Sequence, residues 1–145
     1  MKVLLSRCSK GKVNIKGRSV AEIDRGLALF VGIEEKDDKR ILERMAEKII
    51  NLRIFPDDQG KFSYSLKSKN YFVMCVPNFT LCANTNRGRR PSFEAAMKPS
   101  GAESLFTDFV NLLKANNINV TQGVFGAEMK IDIEMDGPVN IMLSI

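Results

Sequence analysis

The chain opens with two short strand-like segments, residues 3–7 and 12–15, the second followed by Lys16-Gly17, a two-residue hairpin signal. A further strand over residues 18–23 follows, and Asp24-Arg25-Gly26 turns the chain again. Residues 27–33 (Leu-Ala-Leu-Phe-Val-Gly-Ile) lack the alternation of a half-wet strand and predict a central strand covered on both faces. The period then changes. Ile41, Leu42, Met45, Ala46, Ile49 and Ile50 recur at three- and four-residue spacings, predicting a helix over residues 37–52 with Glu43 and Glu47 among basic residues on its wet side. A short strand at Ile54-Phe55 ends in the turn Pro56-Asp57-Asp58-Gln59-Gly60, and residues 71–76 read as another buried strand closed by Pro77. A second helix is expected from near Ser100, with Glu103 completing a capping box, a core face of Leu105, Phe106, Phe109, Val110, Leu112 and Leu113, and an end at Asn116-Asn117. Residues 129–135 alternate, with Met129, Ile131, Ile133 and Met135 on one face. Asp136-Gly137-Pro138 is expected to interrupt them before a last strand over residues 139–145.

These elements predict one α/β domain over residues 1–145, with mixed, largely antiparallel sheets in barrel-like layers and two long helices. A length of 145 residues and a hydrophobic fraction of 44% suit one core. Net charge is +5, which permits a polyanionic partner without requiring one. Cys8, Cys75 and Cys82 lie in or beside apolar runs without a CxxC pair; buried thiols, the absence of a secretory h-region and the odd count lead to the expectation of a reducing, cytoplasmic setting. No stretch approaches the roughly 20 apolar residues of a membrane helix. The most restrictive count is zero histidines, which removes Ser-His-Asp and Cys-His machinery and histidine-bearing zinc sites. No metal and no cofactor is expected.

Three segments are candidates for chemistry. Pro77-Asn78-Phe79-Thr80-Leu81 leaves a buried strand with a hydroxyl beside free main-chain groups; it is either an oxyanion-type donor set or a plain strand end. Arg87-Gly88-Arg89-Arg90-Pro91-Ser92-Phe93 is a phosphate-binding loop or a solubilising one. Gly137-Pro138 is a tight turn between strands, or a cis peptide that aims two carbonyls the same way.

The order of five motifs says more than any one of them. Leu52-Arg53-Ile54-Phe55, Asn78-Phe79-Thr80-Leu81, Gly88-Arg89-Arg90-Pro91-Ser92-Phe93, Thr121 through Met129, and Asp136-Gly137-Pro138-Val139 follow one another along nearly the whole chain. Together they resemble the D-aminoacyl-tRNA deacylases of the bacterial and eukaryotic type. The resemblance implies a homodimer whose active site forms at the subunit interface, and hydrolysis of the ester that joins an amino acid to the terminal ribose of tRNA. It implies that Gly137-Pro138 is cis, enters the partner's pocket and faces the substrate amino group, so that L side chains collide with main chain while D-amino acids and glycine escape. Arg7 matches the residue that fixes this motif. Phe79 and Thr80 match the catalytic segment, whose N–H groups hold the ester carbonyl, and Asn78 stands in it as a third catalytic candidate; Leu81, Phe125 and Met129 are assigned to the pocket around it. Arg87, Arg89 and Arg90 are assigned to tRNA phosphates. The resemblance also implies that the ribose 2′-hydroxyl assists water, in keeping with the missing histidine, and Thr80 is given a positioning role because nothing nearby in sequence is its base.

The chain departs from the family where Ser-Gln is usual and Pro77-Asn78 stands. A proline at that place resembles an animal paralogue of relaxed chirality that removes L-alanine from tRNA; the alternatives are therefore such an enzyme, or a nucleic-acid-binding protein without turnover on the same scaffold.

Overall fold

In the computed structural model, which describes residues 1–86 and 88–145, the two N-terminal segments form one strand, β1 (Lys2–Ile15). Arg87 lies outside the described residues. Ser9-Lys10-Gly11 does not break β1, because Gly11 pairs with Ile23 on one side and Ile133 on the other. A Cβ at Gly11 would stand 2.9 Å from Met74 Cε, so this glycine serves close packing. Lys16 and Gly17 both have positive φ (49° and 80°), the conformation a two-residue hairpin needs, and they return the chain as β2 (Arg18–Ile23). β3 (Gly26–Gly32) follows, and then α1 (Lys39–Asn51), capped by Asp38, whose Oδ1 accepts from Ile41 N–H at 3.0 Å.

The chain continues through a small hairpin, β4 (Phe55–Pro56) and β5 (Phe62–Tyr64), the one-turn α2 (Leu66–Lys69), and β6 (Phe72–Pro77). A 3₁₀ turn (Phe79–Cys82), α3 (Pro99–Ala115), β7 (Asn119–Gln122) and β8 (Lys130–Ser144) complete it. β5, α2 and β7 were not expected from the sequence, being too short to carry a period.

The sheet runs β2-β1-β3-β6-β7, with β8 along the other side of β1. The first half of β1 pairs with β3 and the second half with β2, while β8 follows β1 from Ser144 opposite Lys2 to Lys130 opposite Asn14. Pairs on β1 and the β4–β5 hairpin are antiparallel; β3–β6 and β6–β7 are parallel. The result is the mixed, nearly closed barrel-like sheet that was expected. β3 is covered on both faces: Leu27, Leu29 and Val31 join the core under α1 and α3, and Ala28 joins a second cluster with Cys8, Val13, Ile23, Met74 and Val76.

Three local expectations are corrected. Asp136-Gly137-Pro138 does not interrupt the strand; β8 is continuous, and its register against β1 shifts on either side of Cys8 instead. That shift turns Met135 out, 56% exposed, whereas Ile131 and Ile133 pack on the second cluster. The Glu103 capping box does not form. Pro99 starts α3 at N1, where its missing N–H costs nothing, and Lys98 caps it without a side-chain bond.

Candidate active site

The 3₁₀ turn sits where β6 leaves the sheet. Asn78 N–H donates to Val31 O at 2.8 Å, which ties the turn to β3. Gly32 permits the contact, since a Cβ there would meet Cys82 Sγ at 3.0 Å and Asn78 O and Leu81 Cβ at 3.1 Å. Asn78 Oδ1 accepts twice from Thr80, from the main-chain N–H at 3.2 Å and from the hydroxyl at 2.5 Å. The Thr80 N–H expected to hold a substrate carbonyl is therefore engaged by the protein's own amide. The Thr80 proton rests on an amide oxygen, which is no base, so the geometry gives the hydroxyl no route to act as a nucleophile.

Beside this turn lies a cavity of about 420 Å³. Asn78, Phe79 and Phe125 line it with Phe93, Met97 and Phe106, and Lys98 brings a cation to its wall. Phe79 is 59% exposed and meets Phe93 edge-on, with ring centroids 5.1 Å apart at 69°. Asn84 and Ser92 exchange main-chain hydrogen bonds, so Gly88, Arg89 and Arg90 sit on an exposed loop that ends at Phe93. Leu81 packs against Gly32 and is not among the cavity's lining residues. Met129 is not among the cavity's lining residues either; it fills the space beside Gly123, where a Cβ would stand 2.6 Å from its sulfur, and lines a different groove with Lys16 and Gly17.

Arg7, Gly137 and Pro138 form a separate cluster. The Gly137–Pro138 peptide is cis, and both residues are exposed. Arg7, 6% exposed, donates through Nε to Asp136 O at 3.0 Å and through Nη1 to Ile54 O at 2.6 Å, and its Nε lies 3.3 Å from Asp136 Oδ2. Arg25 Nη2 reaches the same carboxylate oxygen at 3.3 Å, and the Phe62 ring lies 5.6 Å from the Arg7 guanidinium. None of Arg7, Gly137 and Pro138 lines the cavity beside Phe79 in its own chain. Asp136, adjacent to Gly137, was the missed acidic partner, and its place in the motif was the available signal. The Ile54 carbonyl carries no side-chain signal at all.

No thiol serves the site. Burial pushes Cys8 up to about 11 and also raises Cys75 and Cys82, so all three stay protonated at neutral pH. No group of three or more His, Cys, Asp or Glu among the described residues could hold a metal.

The family model described as D-Tyr-tRNA(Tyr) deacylase matches residues 4–144. The chain belongs to that family. Relatives of the D-Tyr-tRNA(Tyr) deacylase family include the D-aminoacyl-tRNA deacylase of Saccharophagus degradans, 44% identical over 145 residues and covering 100% of both chains. That of Alcanivorax borkumensis is 43% identical with the same coverage. Among solved structures, a c-Myc DNA Unwinding Element Binding Protein superposes with a TM-score of 0.94 at 36% identity, covering 100% of this chain and 99% of that one. A probable eukaryotic D-amino acid tRNA deacylase shares the fold, with a TM-score of 0.88 at 16% identity over 99% and 98% of the two chains.

Proposed function

We propose that the protein hydrolyses the ester of D-aminoacyl-tRNA, and of glycyl-tRNA, releasing the amino acid and tRNA in cytoplasmic proofreading of translation. The observation that carries this reading is the cavity of about 420 Å³ bounded by Phe79, Phe93 and Phe125, whose wall includes Asn78, the residue that holds the exposed Thr80 hydroxyl, in a chain with full-length deacylase relatives. An aromatic, mostly apolar cavity with one polar edge suits a terminal nucleoside, its base against the rings and its ribose ester toward Asn78 and Thr80. Arg87, Arg89 and Arg90, with Lys98, supply cations for the phosphates of the same strand.

Water adds to the ester carbonyl, the bond from that carbon to the ribose oxygen breaks, and this oxygen leaves with a proton. The ester is already activated, so orientation and hydrogen bonding to the developing oxyanion supply the acceleration. A second copy of the chain completes the site. Its Gly137–Pro138 turn, exposed and held by Arg7, faces the α-carbon of the substrate with main-chain atoms and leaves no room for an L side chain. Gly137 suits that place, because a Cβ there would stand 2.6 Å from Val139 N.

The test is single-turnover deacylation of D-tyrosyl-, glycyl-, L-alanyl- and L-tyrosyl-tRNA. Loss of the first two with the L-esters spared is the expected result. Hydrolysis of L-alanyl-tRNA as well identifies the relaxed enzyme. No hydrolysis with retained tRNA binding identifies a nucleic-acid-binding protein, the reading suggested by the name of the 36%-identical structure and by the basic loop.

A further inference from the structure

The Asn78–Thr80 pair fixes more than the shape of a turn. A main-chain N–H can only donate, so the Asn78 atom 3.2 Å from Thr80 N is the carbonyl oxygen of the amide. The Thr80 hydroxyl lies 2.5 Å from that same oxygen and must therefore donate to it as well. Its single proton is thus committed inward. What the hydroxyl has left is lone pairs, so toward a ligand it can only accept. Asn78 is itself held by its N–H on Val31 O at 2.8 Å, and it lines the cavity, so the lock is anchored to the central sheet rather than to a free loop.

We propose that Asn78 is a positioning residue that holds the Thr80 hydroxyl as an acceptor, so that the site reads a hydrogen-bond donor placed beside the substrate ester. Two groups of an aminoacyl-nucleoside offer that chemistry: the ribose hydroxyl vicinal to the ester and the α-ammonium. This inference rests on the proposed deacylase reading and assigns Asn78 a task within it. A bare glycine or alanine at position 78 leaves the hydroxyl free to rotate and to present its proton to the substrate. Glutamine, one methylene longer, places its oxygen elsewhere. Aspartate keeps an acceptor oxygen at the same reach.

The experiment has two readouts, turnover and equilibrium binding of a non-hydrolysable 3′-aminoacylamino-adenosine. For both, Thr80→Val is expected to cost about tenfold, the loss of one hydrogen bond, and Asn78→Ala less than that, because the released hydroxyl keeps its lone pairs but loses its fixed orientation. The double variant is expected to be no worse than Thr80→Val, because Asn78 acts through the hydroxyl that Thr80→Val has already removed. Asn78→Asp should recover to within about threefold of the parent. The donor is identified with two analogues, one 2′-deoxy and one lacking the α-amino group. The analogue that lacks the donor should bind the parent and Thr80→Val equally. Thr80→Val retains the Asn78 bond to the main-chain N–H, so it remains informative if Asn78→Ala loosens the turn. Additive losses in the double variant, full sensitivity of both truncated analogues to Thr80→Val, or no binding of the intact analogue would overturn the proposal. Turnover by the parent decides the deacylase reading separately. An active parent with an unaffected Thr80→Val defeats the positioning role alone.

Discussion

Arg7 is the mechanical link between β1, the β4–β5 hairpin and the Gly137–Pro138 turn, and replacing it by alanine should cost both stability and selectivity. The largest loss is the charged hydrogen bond to Ile54 O, 2.6 Å long and buried, worth about 1.5–3 kcal/mol. The ion pair with Asp136 adds about 1 kcal/mol or less, because that carboxylate is 30% exposed. The packing on Phe62, 54% exposed, adds about 0.5 kcal/mol. A total of about 3 kcal/mol is expected for Arg7→Ala, read as a lower urea midpoint at unchanged slope. Arg7→Lys should lose about 2 kcal/mol, since a single ammonium cannot span Ile54 O and Asp136 together. Asp136→Asn should lose under about 1 kcal/mol, because the main-chain acceptor for Arg7 Nε remains. In deacylation, Arg7→Ala should narrow the ratio of D- to L-tyrosyl-tRNA rates more than it lowers the D rate. A change below about 1 kcal/mol, or a destabilised variant with the ratio unchanged, would refute the assignment of Arg7 as the support of the turn.

Four further outcomes are expected. Gly26→Ala should prevent soluble expression or cost more than about 3 kcal/mol, because the new Cβ would stand 1.9 Å from Phe72 O in the β3–β6 pairing; a thermal melt within a few degrees of the parent would contradict this. Asp37→Ala should cost about 3–5 kcal/mol by urea unfolding, since Asp37 is 2% exposed and holds the buried Met1 ammonium at 2.5 Å. The Asp57 carboxyl is held below its ordinary value of 3.8 by hydrogen bonds from the Ser63 hydroxyl and then the Lys61 N–H. Its contribution is present in full above the ordinary carboxylate range and fades as pH falls through the lower folded value. Asp57→Asn should therefore flatten the pH dependence of stability below about pH 4 relative to the parent. Replacing Arg87, Arg89 and Arg90 by alanine should weaken tRNA binding and reduce the salt slope by about 0.7 for each single-strand phosphate that the loop neutralises; an unchanged slope would remove the loop from the tRNA interface.

Much of this protein is written locally in its sequence. The stripe of α1 from Ile41 to Ile50 and the Lys16-Gly17 turn are legible because side-chain period and the freedom of glycine are properties of a few adjacent residues. The unbroken apolar run of β3 likewise announced a strand with a core on each face, and the order of the motifs carried the family. The short β5, α2 and β7 escaped because three or four residues cannot show a period. The continuity of β1 and β8 was hidden for another reason: glycine and proline look like breaks until a partner strand is opposite them.

The site divides along the same line. Asn78, Phe79, Thr80 and Phe125 could be named from the chain, yet only folding shows that Asn78 Oδ1 takes both the N–H and the hydroxyl of Thr80, a matter of one torsion. Phe93 and Lys98 join the cavity because a loop and a helix start converge on β6 from elsewhere in the sequence. Arg7 finds Ile54 O and Asp136 across separations of 47 and 129 residues, and such long-range pairing leaves no local trace. Sequence alone set the longer elements and the chemistry available to them; which groups meet, and which donors are already spent, was decided by the pairing of β1 with β3 and β8 in one sheet and by the residues that this pairing brings together from distant parts of the chain.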